Sequence, residues 1–177
     1  SRIQAEERLQ YMATRDALTG LPNRRLFRER LEQAMERARR SGAPMALMFL
    51  DLDRFKDIND SLGHDVGDRL LRHVAHTLSH GVRRAAVPDA AEPVTVARLG
   101  GDEFTLIVEG LVGAEDAAHV ARRILERLHE PFRCDGSDIF ASASIGITLY
   151  PRDGTDLDAL IRHADLAMYR AKELGRN

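Results

Sequence analysis

Residues 94–108 read VTVARLGGDEFTLIV. Two runs rich in β-branched and large apolar residues, Val94 to Leu99 and Asp102 to Val108, flank the pair Gly100-Gly101. A glycine pair supplies the positive φ that a tight hairpin turn needs. An antiparallel hairpin is expected here, with two carboxylates, Asp102 and Glu103, at its tip. Upstream, Met45 to Asp53 (MALMFLDLD) is a short apolar run ending in acid, and it reads as a buried central strand. Leu26, Phe27, Leu31, Ala34, Met35 and Ala38 recur at three- and four-residue spacing and predict a helix over 23–40, capped by Asn23 and stopped by Gly42 and Pro44. Leu70, Leu71, Val74, Ala75 and Leu78 predict another over 65–80, followed by a loop over 81–93. Downstream, Ile124, Leu125 and Leu128 give an apolar side to a helix over 114–130. Phe140 to Tyr150 reads as the last long strand and 157–174 as the last helix. From residue 45 the order is β-α-β-β-α-β with a closing helix. That is the α+β class and the order of a ferredoxin-like split βαβ sheet, antiparallel, with helices packed on one face.

The chain has 177 residues, which favours one domain. Hydrophobic residues make up 44% and charged residues 31%, a globular composition. A net charge of -2 argues against a bulk electrostatic grip on DNA or RNA, while a small nucleotide needs only a local site. The single cysteine, Cys134, cannot form an internal disulfide, so a reducing cytosol is compatible. The longest strong apolar run, Met45 to Leu50, falls far short of the roughly 18 residues of a membrane span. The charged, polar start is unlike a signal peptide. A cytoplasmic domain is expected, whose parent protein is free to be anchored in a membrane. Residues 1–15 read as a helix with a thin stripe of Ile3, Leu9 and Met12: either a linker arriving from an upstream domain or a frayed terminus. The domain proper is expected over 16–177.

Three polar features can carry chemistry. Asp51-Leu52-Asp53 ends the central strand, and strand alternation sends both carboxylates to one face. They are either solvated acids at an exposed strand end or ligands for a hard cation. Asp102-Glu103 follows the two glycines, where a backbone can approach a ligand closely; the other reading is an ordinary turn. In the expected topology the strand end and the hairpin tip are neighbours, so the two acidic features can converge. Two-metal phosphoryl-transfer sites are built this way. The third feature, RFKDINDSLGHDVGD over 54–68, lies between the strand and its helix. Its turn amides and Lys56 suit a phosphate. Asn59 and Asp68 suit the edge of guanine, which donates from N1–H and N2–H₂ and accepts at O6. A loop capped by Asn and Asp is the alternative.

These stretches resemble the GGDEF diguanylate cyclases. RLGGDEF at 98–104 is similar to the signature that names the family. DALTGLPNRR (16–25), FLDLDRFKDINDSLGHDVGD (49–68), ASIGIT (143–148) and ADLAMYRAKELGRN (164–177) match in order and spacing. The resemblance covers nearly all of the chain from Asp16 onward. It implies a central antiparallel sheet with surrounding helices, like nucleotide cyclases and polymerase palms. It implies two Mg²⁺ ions, with Mn²⁺ a substitute, held by Asp51, Asp102, Glu103 and the main-chain carbonyl of Leu52. It implies that Asp102 is the base for the 3′-hydroxyl, with Glu103 and Lys56 beside it in catalysis. Asn59, His64 and Asp68 would contact guanine or its sugar. Asp53, Arg54, Phe55, Lys56, Gly100, Gly101, Lys172 and Arg176 would line the rest of the GTP site.

The activity so implied is condensation of two GTP into cyclic di-GMP across a homodimer, with a sensor domain upstream. HEPF (129–132) and YPRDG (150–154) are similar to domains that precede a phosphodiesterase (EAL) domain. Many family members carry an Arg-x-x-Asp inhibitory site for product, whose positions here are Ala91 and Val94. No feedback inhibition at that site is therefore expected. Two rivals differ in class. A GTP-binding regulatory module would signal to an attached domain without catalysis, although the intact Gly-Gly-Asp-Glu-Phe weighs against it. An RNA-binding sheet needs stacked aromatics, and these strands offer Phe104 but no cluster.

Overall fold

The computed structural model describes residues 1–81 and 94–174. At its centre lies β1 (Met45–Leu52), in which every residue except Asp51 is buried. β1 pairs antiparallel with β3 (Glu103–Val108) on one side and β6 (Ala143–Tyr150) on the other. β2 (Val94–Gly100) pairs with β3 and closes the sheet in the order β2-β3-β1-β6. The expected hairpin is present, with Gly100 and Gly101 at φ 142° and 51°, values that favour glycine.

Helices cover both faces of the sheet, which corrects the expectation of one covered face. Ala46, Met48, Leu50 and Leu52 enter a cluster with α4 (His64–Gly81) and α5 (Ala114–His129). Met45, Leu47 and Phe49 enter a second cluster with α2 (Arg24–Ser41) and α6 (Leu157–Glu173). Successive strand residues point to opposite faces. β1 is apolar at both parities, so water must be excluded from both sides.

Two smaller corrections concern the connections. The polar stretch after β1, expected as a turn, contains α3 (Phe55–Leu62). A small hairpin, β4 (Phe132–Cys134) and β5 (Ser137–Ile139), precedes β6, which starts at Ala143 rather than Phe140. Its turn is Asp135-Gly136, at φ 52° and 80°, the Asp-Gly pair that a two-residue hairpin turn calls for. Strands of three residues are too short to show a period.

α1 (Arg2–Thr14) starts with a capping box between Ser1 and Gln4 and buries none of its residues; Ile3, Leu9 and Met12 are exposed. The chain after it is tied down by Asn23, whose side-chain amide donates to the Ala13 carbonyl (2.9 Å) and whose backbone N–H donates to Thr14 (2.8 Å). Among the described residues no helix is long and apolar enough to cross a membrane. Ala91 lies outside the described residues, and Val94 is buried at the start of β2.

The closing helix lies directly on β6. A Cβ built on Gly146 would stand 2.1 Å from the Met168 amide nitrogen and 2.4 Å from the Ala164 carbonyl oxygen, both backbone atoms of α6. Ser144, Gly146 and Thr148 alternate along β6 on that side, all small, with the Thr148 hydroxyl donating to the Leu160 carbonyl at 3.3 Å. Gly146 thus sets how near α6 comes to the sheet. Gly146→Ala is expected to destabilise the domain by about 1–3 kcal/mol through overpacking, read by urea denaturation. Gly154→Ala, whose new Cβ would meet only side-chain carbons at an ordinary 3.5 Å or more, is expected to stay within about 0.5 kcal/mol of wild type. Equal effects would show that α6 does not rest on Gly146.

Candidate active site at the end of the central strand

The sheet register brings the acids together. Asp51 is the direct cross-strand partner of Glu103 on β3, and of Ser144 on β6. Asp102 occupies the hairpin turn, and its carbonyl accepts from the Leu52 N–H at 3.3 Å. Across the cluster, the last turn of α6 presents Lys172, whose Nζ lies 2.8 Å from Asp51 Oδ2. The other oxygen, Asp51 Oδ1, is buried without a hydrogen-bond partner among the described residues.

This crowding shows in the electrostatics. Burial, then the adjoining Asp102 carboxyl, push the Asp51 carboxyl up to about 6, against the opposing pull of Lys172. Burial, followed by the charges of Asp51 and Asp165, also raises Glu103, with Arg24 and Lys172 opposing. Like charges packed at a half-buried strand end favour a cation. Among the described residues no three acidic, His or Cys groups already form a cage for one ion. A hard cation such as Mg²⁺ needs no such cage, because it takes one or two carboxylates and completes its shell with water and phosphate oxygens. The orphaned Asp51 oxygen and an all-oxygen donor set fit that demand.

The hairpin tip is braced from behind. Arg98 donates from Nε and Nη2 to the Gly101 carbonyl (3.0 and 2.7 Å) and from Nη1 to both carboxylate oxygens of Asp16 (2.8 and 3.0 Å). Burial raises the Asp16 carboxyl, but hydrogen bonds from Thr19 and Arg98 outweigh it and hold the group below its ordinary range. One half-buried guanidinium thereby joins the turn that follows α1 to the residue preceding Asp102.

The other expected site residues divide. Asp53 is buried, and both of its oxygens are engaged: Ser142 donates to Oδ2 at 2.9 Å and Ser144 to Oδ1 at 2.8 Å. Its side chain ties the end of β1 to the start of β6, and the residue lines a surface cavity with Arg54 and Asp57. Arg54 takes a left-handed conformation (φ 56°), sparsely populated by non-glycine residues, and opens α3 without a side-chain cap. Phe55 is half-buried, and Lys56 is exposed on the first turn. Asn59 on α3 faces α4, where a Cβ on Gly67 would fall 1.8 Å from Asn59 Oδ1 and 3.3 Å from the Phe55 ring. His64 is exposed at the start of α4, and Asp68 is half-buried one turn later. Arg176 lies outside the described residues. The residues that sequence reading missed are Ser142, Ser144, Arg98 with Asp16, and the two packing glycines. The run of small residues in ASIGIT was the available signal for close helix contact.

The chain is similar to known proteins over its whole length. A family model described as "Diguanylate cyclase, GGDEF domain" matches residues 13–177. The chain is 44% identical over its whole length to MucR of Pseudomonas aeruginosa, named a bifunctional diguanylate cyclase/cyclic di-GMP phosphodiesterase, and spans 24% of that protein. It is 41% identical over 98% of its length to NbdA, a cyclic di-GMP phosphodiesterase of the same organism, and spans 21% of it. A solved GGDEF-only form of TpbB, also from Pseudomonas aeruginosa, superposes with a TM-score of 0.82 at 40% identity, covering 92% of this chain and 90% of that one.

The raised Asp51 carboxyl has a consequence for stability. Its folded value near 6 stands above the ordinary 3.8, so the native state keeps a proton that the unfolded chain has lost. The contribution is full below about pH 4 and is lost as pH rises through 6. In metal-free buffer, the melting temperature of Asp51→Asn relative to wild type is therefore expected to rise by several degrees between pH 4 and 7.5. A flat or falling difference would mean that Asp51 gives up its proton in the folded domain as readily as in the unfolded chain.

Proposed function

The chain belongs to the GGDEF family of diguanylate cyclase domains, and on that footing we propose that it condenses two GTP into cyclic di-GMP, releasing two pyrophosphates. The observation that carries the proposal is the acidic cluster of Asp51, Asp102 and Glu103, complete and braced, with one buried carboxylate oxygen left without a partner.

In this reading Asp51, Asp102 and the Leu52 carbonyl would hold divalent metal, with Glu103 in support. When bound, the two Mg²⁺ ions, or Mn²⁺ in their place, supply positive charge to the transferring phosphate and to the leaving pyrophosphate. Asp102 takes the proton from the attacking 3′-hydroxyl. The Arg54 turn aims the amides at the start of α3 toward the phosphates, where an anion gains from both hydrogen bonds and the helix dipole. Lys56, Lys172 and Arg176 add charge there. Gly100 and Gly101 allow close approach of the nucleotide. Asn59 and Asp68 read the guanine edge, and His64 flanks it. Each subunit carries one GTP, so two copies must face each other for each 3′-oxygen to meet the other's α-phosphorus. A sensor upstream, or a phosphodiesterase domain downstream, would then act by setting that encounter. The fraction of each curated relative left uncovered leaves room for such domains.

A second reading has one observation in its favour: a similar relative is named only as a phosphodiesterase. In that case the domain binds GTP and regulates without turning it over. Incubation of concentrated protein with GTP and Mg²⁺, with products resolved by chromatography, separates the two. Wild type is expected to yield cyclic di-GMP and Asp102→Ala none. GTP binding without product would favour the regulatory reading. Activity per subunit is further expected to fall on dilution through the dimer's dissociation range.

Gly67 offers a test of the nucleotide pocket. Gly67→Ala pushes the Asn59 side chain aside, so the KM for GTP is expected to rise about tenfold, roughly 1.4 kcal/mol, with the fold kept by circular dichroism. An unchanged KM would remove Asn59 from the guanine site.

A further inference from the structure

Among the described residues Lys172 makes an ion pair with the acidic cluster, and it sits on the carboxylate that the proposed metal needs. Its ammonium is 2.8 Å from Asp51 Oδ2. The adjoining Oδ1 has no partner among the described residues. The backbone that carries Lys172 is fixed, because α6 lies against Gly146 at a distance that would not admit a methyl group. The side chain is not confined in the same way: 30% of it is exposed, and four methylenes let the head swing while the helix stays in place.

We propose that Lys172 is a placeholder for the divalent cation: it neutralises Asp51 in the nucleotide-free domain, gives up Asp51 when metal arrives, and turns its ammonium to the incoming phosphates. The proposal rests on the metal-dependent reading above and adds a regulation of that same site. A single positive charge on Oδ2 relieves the repulsion among Asp51, Asp102 and Glu103, so the empty cluster is held together without an ion. It also raises the cost of metal binding, since the metal must first displace the ammonium. Phosphate has the opposite effect. By attracting Lys172 it vacates Asp51, so nucleotide and metal each assist the other through one side chain, and linkage makes that assistance mutual. The site then stays free of adventitious metal until a nucleotide arrives.

The test uses the whole 177-residue chain, with Lys172→Ala, Lys172→Gln and Lys172→Arg. Mn²⁺ binding is followed without nucleotide by electron paramagnetic resonance of the free ion. Circular dichroism confirms the fold, and the glutamine variant carries the test if the alanine variant does not fold. Removal of the charge is expected to tighten nucleotide-free Mn²⁺ binding about tenfold, while Lys172→Arg stays near wild type. The same uncharged variants are expected to bind a non-hydrolysable GTP analogue more weakly. Unchanged or weaker Mn²⁺ binding in the uncharged variants, with the analogue still lost, would overturn the placeholder and leave Lys172 a plain phosphate ligand in a working cyclase. If no form binds Mn²⁺ even with the analogue present, the metal-dependent reading itself fails, and the placeholder fails with it.

Discussion

The ion pair between Asp51 and Lys172 joins the end of the central strand to the last turn of the last helix, and the rest of the site is organised around it. Three acids do not gather at a half-buried strand end unless something overcomes their repulsion and the loss of hydration. Backbone register provides the force. Hydrogen bonds between β1 and β3 set Asp51 opposite Glu103, and the hairpin that starts β3 puts Asp102 at its turn. The ammonium arrives from the opposite side because β6 offers α6 a surface of small residues. The repulsion that remains is visible in the raised Asp51 and Glu103 carboxyls.

The supports of this cluster are as informative as its members. Arg98 holds the Gly101 carbonyl with one edge of its guanidinium and Asp16 with Nη1. The hairpin tip and the turn after α1 therefore share one anchor, 12% exposed on the arginine side and 15% on the aspartate side. A partly desolvated, charge-assisted pair of this kind is less sensitive to solvent and salt than a surface ion pair. Asp53 serves in a similar way, spending its carboxylate on Ser142 and Ser144 to fix the start of β6 beside the end of β1.

Much of this was legible in the sequence, and the failures have physical causes. The apolar run ending in Asp51 and the glycine pair before Asp102 marked the two halves of the site, because strand ends and hairpin turns leave local signatures. A sheet covered on both faces is written into β1 itself, since Met45, Leu47 and Phe49 are as apolar as Ala46, Met48 and Leu50. The β4–β5 hairpin was signalled by Asp135-Gly136 alone, its strands being too short for alternation to appear. α3 escaped because its polar residues look like a loop when no buried stripe reveals the helical period. Long-range pairs are a different matter. Nothing local in Arg98 points to Asp16, nor in Lys172 to Asp51, and the family resemblance had directed Lys172 toward phosphate. Only the packing of α6 on Gly146 shows where that side chain rests.

The central claim is that the cluster at the end of β1 is the place where metal and nucleotide meet. Anomalous diffraction from crystals grown with Mn²⁺ and a non-hydrolysable GTP analogue tests it most directly. The account predicts a manganese peak at the Asp51–Asp102 cluster beside the triphosphate, with Lys172 withdrawn from Asp51 and directed at phosphate. A nucleotide bound elsewhere, or a triphosphate in place with Lys172 still on Asp51 and no manganese between the acids, would contradict it.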